Sequence, residues 1–110
     1  MKLTKSERAW LDAYRRALVA VRPPAIERML IYGSKARGDA GPDSDLDVLL
    51  IVKHGAARRK RTLRRIGYLL AATTDVAPSI MAYTADEWQR LEETASPFQR
   101  AVERDKVVVL

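Results

Sequence analysis

Apolar residues recur at helical spacing at the start of the chain and run continuously further on, and that contrast lays out the elements. Between Thr4 and about Val21, the residues Trp10, Leu11, Tyr14, Leu18 and Val21 fall on one helical stripe, and Thr4 and Glu7 stand at capping-box spacing. An amphipathic helix is expected there. Pro23 and Pro24 stop it, because neither supplies a backbone donor and the first restricts the residue before it. Ile26 to Tyr32 reads as a short strand ending at Gly33. Asp45 to Val52 begins polar and becomes continuously apolar, the pattern of a strand buried on both faces. The loop between these strands, Ser34 to Ser44, holds Gly38, Gly41 and Pro42, and Ser34 to Arg37 can make one turn of helix.

Beyond Gly55 the pattern predicts a basic helix from about Ala56 to Ala72, with Leu63, Ile66, Gly67 and Leu70 facing inward. Asp75 to Tyr83 reads as a third strand, and Pro78 within it requires an edge or a bulge, since proline donates nothing to a ladder. Asp86 to Glu93 and Pro97 to Arg104 read as helices, with Val107 to Leu110 as a terminal strand or tail. No repeat or low-complexity tract interrupts the 110 residues, so one domain spanning 1–110 is expected.

Composition narrows the setting. Cysteine is absent, which excludes disulfides and thiolate metal sites and makes a reducing, cytoplasmic environment the simplest expectation. No signal-like segment opens the sequence and no apolar run reaches membrane-spanning length, so a soluble protein without a membrane partner is expected. Twenty Lys and Arg against fourteen Asp and Glu give a net charge of +6, which favours anionic partners: nucleotides, nucleic acid or an acidic protein face.

The chemistry concentrates between Gly33 and Asp47, where ten residues separate Ser34 from Asp45. Alternate residues of a strand share a face, so Asp45 and Asp47 bring two carboxylates together while Leu46 points to the core. Such a pair repels itself unless a cation sits between; Mg²⁺ takes one or two carboxylates and completes its shell with water and triphosphate oxygens. Gly33 lets the backbone approach an anion closely, and Ser34 offers a hydroxyl and an amide at the start of a helical turn. Lys35 and Arg37 add positive charge nearby, and the spacing leaves open which of them meets phosphate. His54, the sole histidine, excludes a histidine-based metal cluster and leaves no second histidine elsewhere. The basic run Arg58, Arg59, Lys60, Arg61, Arg64 and Arg65 reads as a solvated helix face rather than an RNA guide, because aromatic platforms do not interleave it. Trp10, Trp88 and Phe98 read as core or interface anchors.

The Gly-Ser pair, ten residues, then Asp-x-Asp resembles the signature of the DNA polymerase beta nucleotidyltransferase superfamily, in the compact branch called minimal nucleotidyltransferases. That resemblance implies an α/β (α+β) fold, a short mixed sheet with helices packed against it and a nucleotide site open along one edge. It implies ATP as substrate, two Mg²⁺ ions, and a nucleotide site drawn from Gly33, Ser34, Lys35 and Arg37. Superfamily members usually carry a third carboxylate on a later strand, to bind metal or accept the attacking hydroxyl's proton; Asp75 is the candidate, joining Asp45 and Asp47 as catalytic and metal-binding residues. Relatives this small are frequently antitoxins that adenylylate a tyrosine of a helical HEPN ribonuclease toxin, so such a partner, in a homo- or hetero-oligomer, is the leading expectation. The alternatives are neutralisation of the partner by binding alone, with a weak nucleotide site, and transfer to RNA.

Overall fold

The computed structural model describes residues 1–110. Helix α1, Lys5–Ala20, begins where its capping box predicts: the Glu7 amide donates to the Thr4 hydroxyl at 3.1 Å, and the Thr4 amide donates to the Glu7 carboxylate at 2.9 Å. These two bonds satisfy donors that a helix start leaves without partners. Its stripe of Trp10, Leu11, Tyr14 and Leu18 is buried, as the spacing requires.

Four strands form one mixed sheet: β1 (Ile26–Tyr32), β2 (Leu46–Val52), β3 (Pro78–Thr84) and β4 (Val107–Val108), in the order β3-β2-β1-β4. Strand β2 runs antiparallel to β1, with Tyr32 opposite Asp47, and parallel to β3, with Ser79 beside Asp47. Strand β4 pairs antiparallel with β1. Every residue of β2 except Asp47 is buried, because the strand lies between two others and both sheet faces are covered.

On one face Met29, Ile31, Val48, Leu50, Val52 and Ile80 meet α1 and helix α3 (Lys60–Ala71). On the other, Leu30, Leu49 and Ile51 meet α4 (Ala85–Glu93) and α5 (Pro97–Asp105) through Trp88 and Val102. Trp10 and Trp88 are therefore core residues, and Phe98 packs edge-on against Trp88. Helix α4 starts from a second capping box, Thr84 with Glu87, and α5 from Ser96 with Pro97 at its first turn.

Two side chains bind α1 to α3: Trp10 Nε1–H donates to the Gly67 carbonyl at 2.9 Å and the Tyr14 hydroxyl donates to the Leu63 carbonyl at 2.8 Å. Burial pushes the Tyr14 phenol well above its ordinary pKa. A Cβ at Gly67 would stand 2.6 Å from Ile80 Cδ1 and 2.7 Å from the Tyr14 ring. Gly67→Ala is expected to destabilise the protein by about 1–3 kcal/mol through overpacking, measurable as a lower urea midpoint.

Two boundaries depart from the sequence reading. Residues His54–Arg59 form a 3₁₀ turn, and the α-helix starts only at Lys60. Gly55 is a weak helix former, no side chain caps α3, and its opening charges are basic where the helix dipole favours acidic ones. Strand β3 begins at Pro78 rather than Asp75, because the Thr74 hydroxyl donates to the Ala71 carbonyl at 2.8 Å and accepts from the Val76 amide at 3.0 Å, holding the segment in a bend. Leu70, expected inward, is 37% exposed, and Ala71 takes the inward place at the end of the helix.

Strand β3 is an edge strand, as Pro78 demands, and its outer edge is largely closed. Pro78 has no donor, the Ile80 amide donates to the Tyr68 hydroxyl at 2.9 Å, and the Thr84 amide donates to Glu87 at 2.8 Å. Few free donors remain for another strand to pair with.

Candidate active site

The loop and strand of the Gly-Ser and Asp-x-Asp motifs come together where β1 ends and β2 begins. Chain reversal is made by α2 (Gly33–Arg37), which starts directly from β1 at Tyr32 and ends in the left-handed Gly38, whose amide donates to the Ser34 carbonyl at 2.9 Å. No side chain caps the start of α2, so its first-turn amides have no side-chain acceptor within the chain.

Gly33 is required by the site twice over. Its φ is +74°, a conformation that side chains disfavour, and a Cβ there would collide with Asp47 Oδ2 and lie 3.4 Å from Asp47 Cγ. The Asp47 carboxylate therefore rests against the glycine turn. Asp47 is half-buried and shares its sheet face with Leu49 and Ile51, whereas Asp45 lies one residue before the strand and is exposed. Burial raises the Asp47 pKa above its ordinary value and the charge of Asp45 raises it further, while Arg37 lowers it. The charges of Asp45 and Arg37 thus both act on the Asp47 carboxylate, with opposite effects. Across the strand pair, burial and then the Asp47 charge push the Tyr32 phenol up to about 12.

The two basic residues of α2 have separate surroundings. Arg37 donates to Asp105 at 2.7 Å and to Asp39 at 3.1 Å, which ties α2 to the end of α5 and holds the Asp105 carboxyl down at about 2, with Arg104 the larger contributor. Lys35 turns to the opposite side and forms an ion pair with Glu7 at 3.1 Å, both side chains being about one tenth exposed. Glu7 thus caps α1 and anchors α2 at once. Asp75 also lies on that side: it is exposed in the bend before β3 and lines a cleft with Lys35, Asp43 and Ser44. The structure brings Asp45 and Asp47 together but does not gather Asp75 with them, and no three acidic or histidine residues form a group able to hold a metal ion.

Ser79 and Tyr32 flank Asp47, and sequence reading singled out neither. Paired residues of adjacent strands put their side chains on one face. A third carboxylate on this sheet would therefore adjoin Asp47 at position 79, where the chain has serine. That register depends on where β3 begins, which the bend at Thr74 decides.

The arrangement fits one Mg²⁺ held by two carboxylates and completed by triphosphate oxygens and water, since Asp45 and Asp47 repel each other without a cation between them. Comparison with known proteins gives two matches. The profile of the family described as Nucleotidyltransferase domain matches residues 12–108. A solved structure from Sulfolobus solfataricus, provisionally assigned as a nucleotidyltransferase, is similar at 23% identity, covering 97% of this chain and 87% of that one with a TM-score of 0.47. No curated protein matches the chain. With its family match running from α1 through β4, across the glycine turn and the paired aspartates, the chain belongs to the nucleotidyltransferase domain family.

Proposed function

We propose that the protein transfers AMP from ATP to a protein hydroxyl, a tyrosine of a HEPN-type toxin partner, and so acts as an antitoxin in the cytoplasm. The observation that carries the transfer reading is the packing of Asp47 against Gly33 at the start of α2, with the charge of Asp45 acting on it.

In the proposed reaction the acceptor oxygen attacks the α-phosphorus, the bond from that phosphorus to the β-phosphate bridging oxygen breaks, and pyrophosphate leaves with the bond electrons. Asp45 and Asp47 would hold Mg²⁺, whose charge stabilises the negative charge that develops on the phosphate oxygens. Gly33 and Ser34 offer amides, and Ser34 a hydroxyl, to the triphosphate. Arg37, fixed by Asp105, supplies a positioned positive charge beside Asp47. Lys35, committed to Glu7, holds the loop in place. The acceptor's proton passes to water or to a carboxylate brought by the partner.

Purified protein, ATP, Mg²⁺ and co-expressed partner, followed by mass spectrometry of the partner, test the reading; a partner silenced without an adenylyl adduct overturns it. Ser34→Ala is expected to weaken binding of a nonhydrolysable ATP analogue by about 1–3 kcal/mol, read by titration calorimetry.

A second reading, a slow transferase that neutralises its partner mainly by binding, is favoured by Ser79 standing beside Asp47 in place of a carboxylate. In that case Ser79→Asp raises single-turnover transfer by about a hundredfold, the lower end of what a positioned base supplies. An unchanged rate removes Ser79 from the argument.

A further inference from the structure

The exposed face of α3 carries a combination of residues that neither the core nor the nucleotide site uses. Arg61, Arg64, Arg65, Tyr68 and Leu69 line one groove of about 370 Å³. None of the three arginines forms an ion pair, although the neighbouring Lys60 is held by Glu87. They stand at i, i+3 and i, i+4, where like charges repel, and α3 has no acidic residue to offset them. Arg61 also lies in the first turn of the helix, at the end where the dipole disfavours a cation. The Arg64 Nε is buried without any acceptor. Beside these charges Leu69 is 61% exposed and Tyr68 44% exposed, with the tyrosine ring held in place by the bond from the Ile80 amide.

We infer that this groove is a docking surface for an acidic, amphipathic segment of a protein partner. A carboxylate seated there would accept from the end nitrogens of these arginines, none of which has an ion-pair partner, and relieve the repulsion among the three. The exposed Leu69 and Tyr68 call for an apolar side chain next to that carboxylate, which a phosphate backbone does not have. The basic residues are all arginine, the cation that protein interfaces favour over lysine. With Tyr68 the sole aromatic in the groove, the successive stacking platforms used for single-stranded RNA are lacking.

Position adds a consequence that rests on the transferase reading. Residue Ile80, bonded to Tyr68, follows Ser79, the neighbour of Asp47. A partner seated on the last turns of α3 would lie along the β3 edge on the sheet face opposite the one that carries Asp47, so docking and transfer would use different surfaces.

The test uses the full chain and a fluorescein-labelled helical peptide with Glu and Leu alternating along one face, a matched peptide with Gln for Glu, and a short single-stranded RNA. Fluorescence anisotropy should show the acidic peptide binding at least about tenfold more tightly than the Gln peptide, as expected when a charged hydrogen bond is lost. Arg64→Gln and Arg65→Glu should each weaken it about tenfold, and Leu69→Ser several-fold. Arg65 and Leu69 are exposed, so those variants keep the test sound should Arg64→Gln fail to fold. Equal binding of the two peptides, no binding of either, or RNA binding that outcompetes the acidic peptide and ignores Leu69→Ser would overturn the inference. Binding by Asp47→Asn should match the parent, so loss of the transferase reading and loss of this surface give different results.

Discussion

Asp47→Asn is expected to abolish nucleotidyl transfer and to raise the melting temperature of the metal-free protein at neutral pH. Both effects come from one cause. Burial and the neighbouring Asp45 make the ionised form of Asp47 unfavourable in the folded protein, which is why its pKa lies above the ordinary value. The folded state therefore binds the Asp47 proton more tightly than the unfolded state does. This carboxylate costs nothing below the unfolded value of 3.8, and its full cost is present once pH exceeds the raised folded value. The stabilisation from Asp47→Asn should accordingly vanish as pH falls towards 4. Mg²⁺ with a nonhydrolysable nucleotide should reverse the order at pH 7, since ligand binding stabilises only the parent. Asp45→Asn should lose transfer as well, while returning Asp47 towards its ordinary pKa. Asp105 supplies a control of opposite sign: its carboxyl is held at about 2 by Arg104 and Arg37, so its contribution is present above the unfolded value and lost as pH falls through about 2. Melting curves across pH, paired with a labelled-nucleotide transfer assay, check the set. Normal transfer by purified Asp47→Asn removes Asp47 from the site.

Gly33→Ala should destabilise the fold by about 2–4 kcal/mol and eliminate nucleotide binding. Part of the loss is backbone strain, since a left-handed residue with a side chain costs about 1–2 kcal/mol. The rest is steric, because the new methyl collides with the Asp47 carboxylate and must displace it. A double-mutant cycle separates the two: adding Asp47→Ala removes Oδ2 and Cγ from the collision and should recover the steric part while leaving the strain. Urea unfolding of the four proteins measures this. Additive losses would mean that Gly33 and Asp47 do not touch.

Much of the fold was legible because its signals are local. Thr4 and Glu7 cap α1 by bonds three residues apart, and the apolar run after Asp47 has no outlet except a doubly covered strand. The spacing from Ser34 to Asp45 places a glycine turn and a strand start together, because β1 and β2 pair antiparallel across a short connection. Thr84 and Glu87 carry the same capping signal for α4. The start of β3 was harder. A three-residue bend held by the Thr74 hydroxyl moved it past Asp75, and proline at its head gave only the edge position.

Sequence by itself determined the paired aspartates, the glycine turn beside them, the covered central strand and the net positive charge, because each depends on residue type or on spacing within one hairpin. Tertiary structure alone decided which charges are free to act. Lys35 is taken up by Glu7, which lies 28 residues away, and Arg37 by Asp105, 68 residues away. Ser79 reaches Asp47 through parallel pairing, and Arg64 keeps an unpartnered nitrogen beside an exposed leucine. The physical reason is common to all four: an ion pair, a strand register or an open face is settled by which distant segments pack together, and no local pattern encodes that choice.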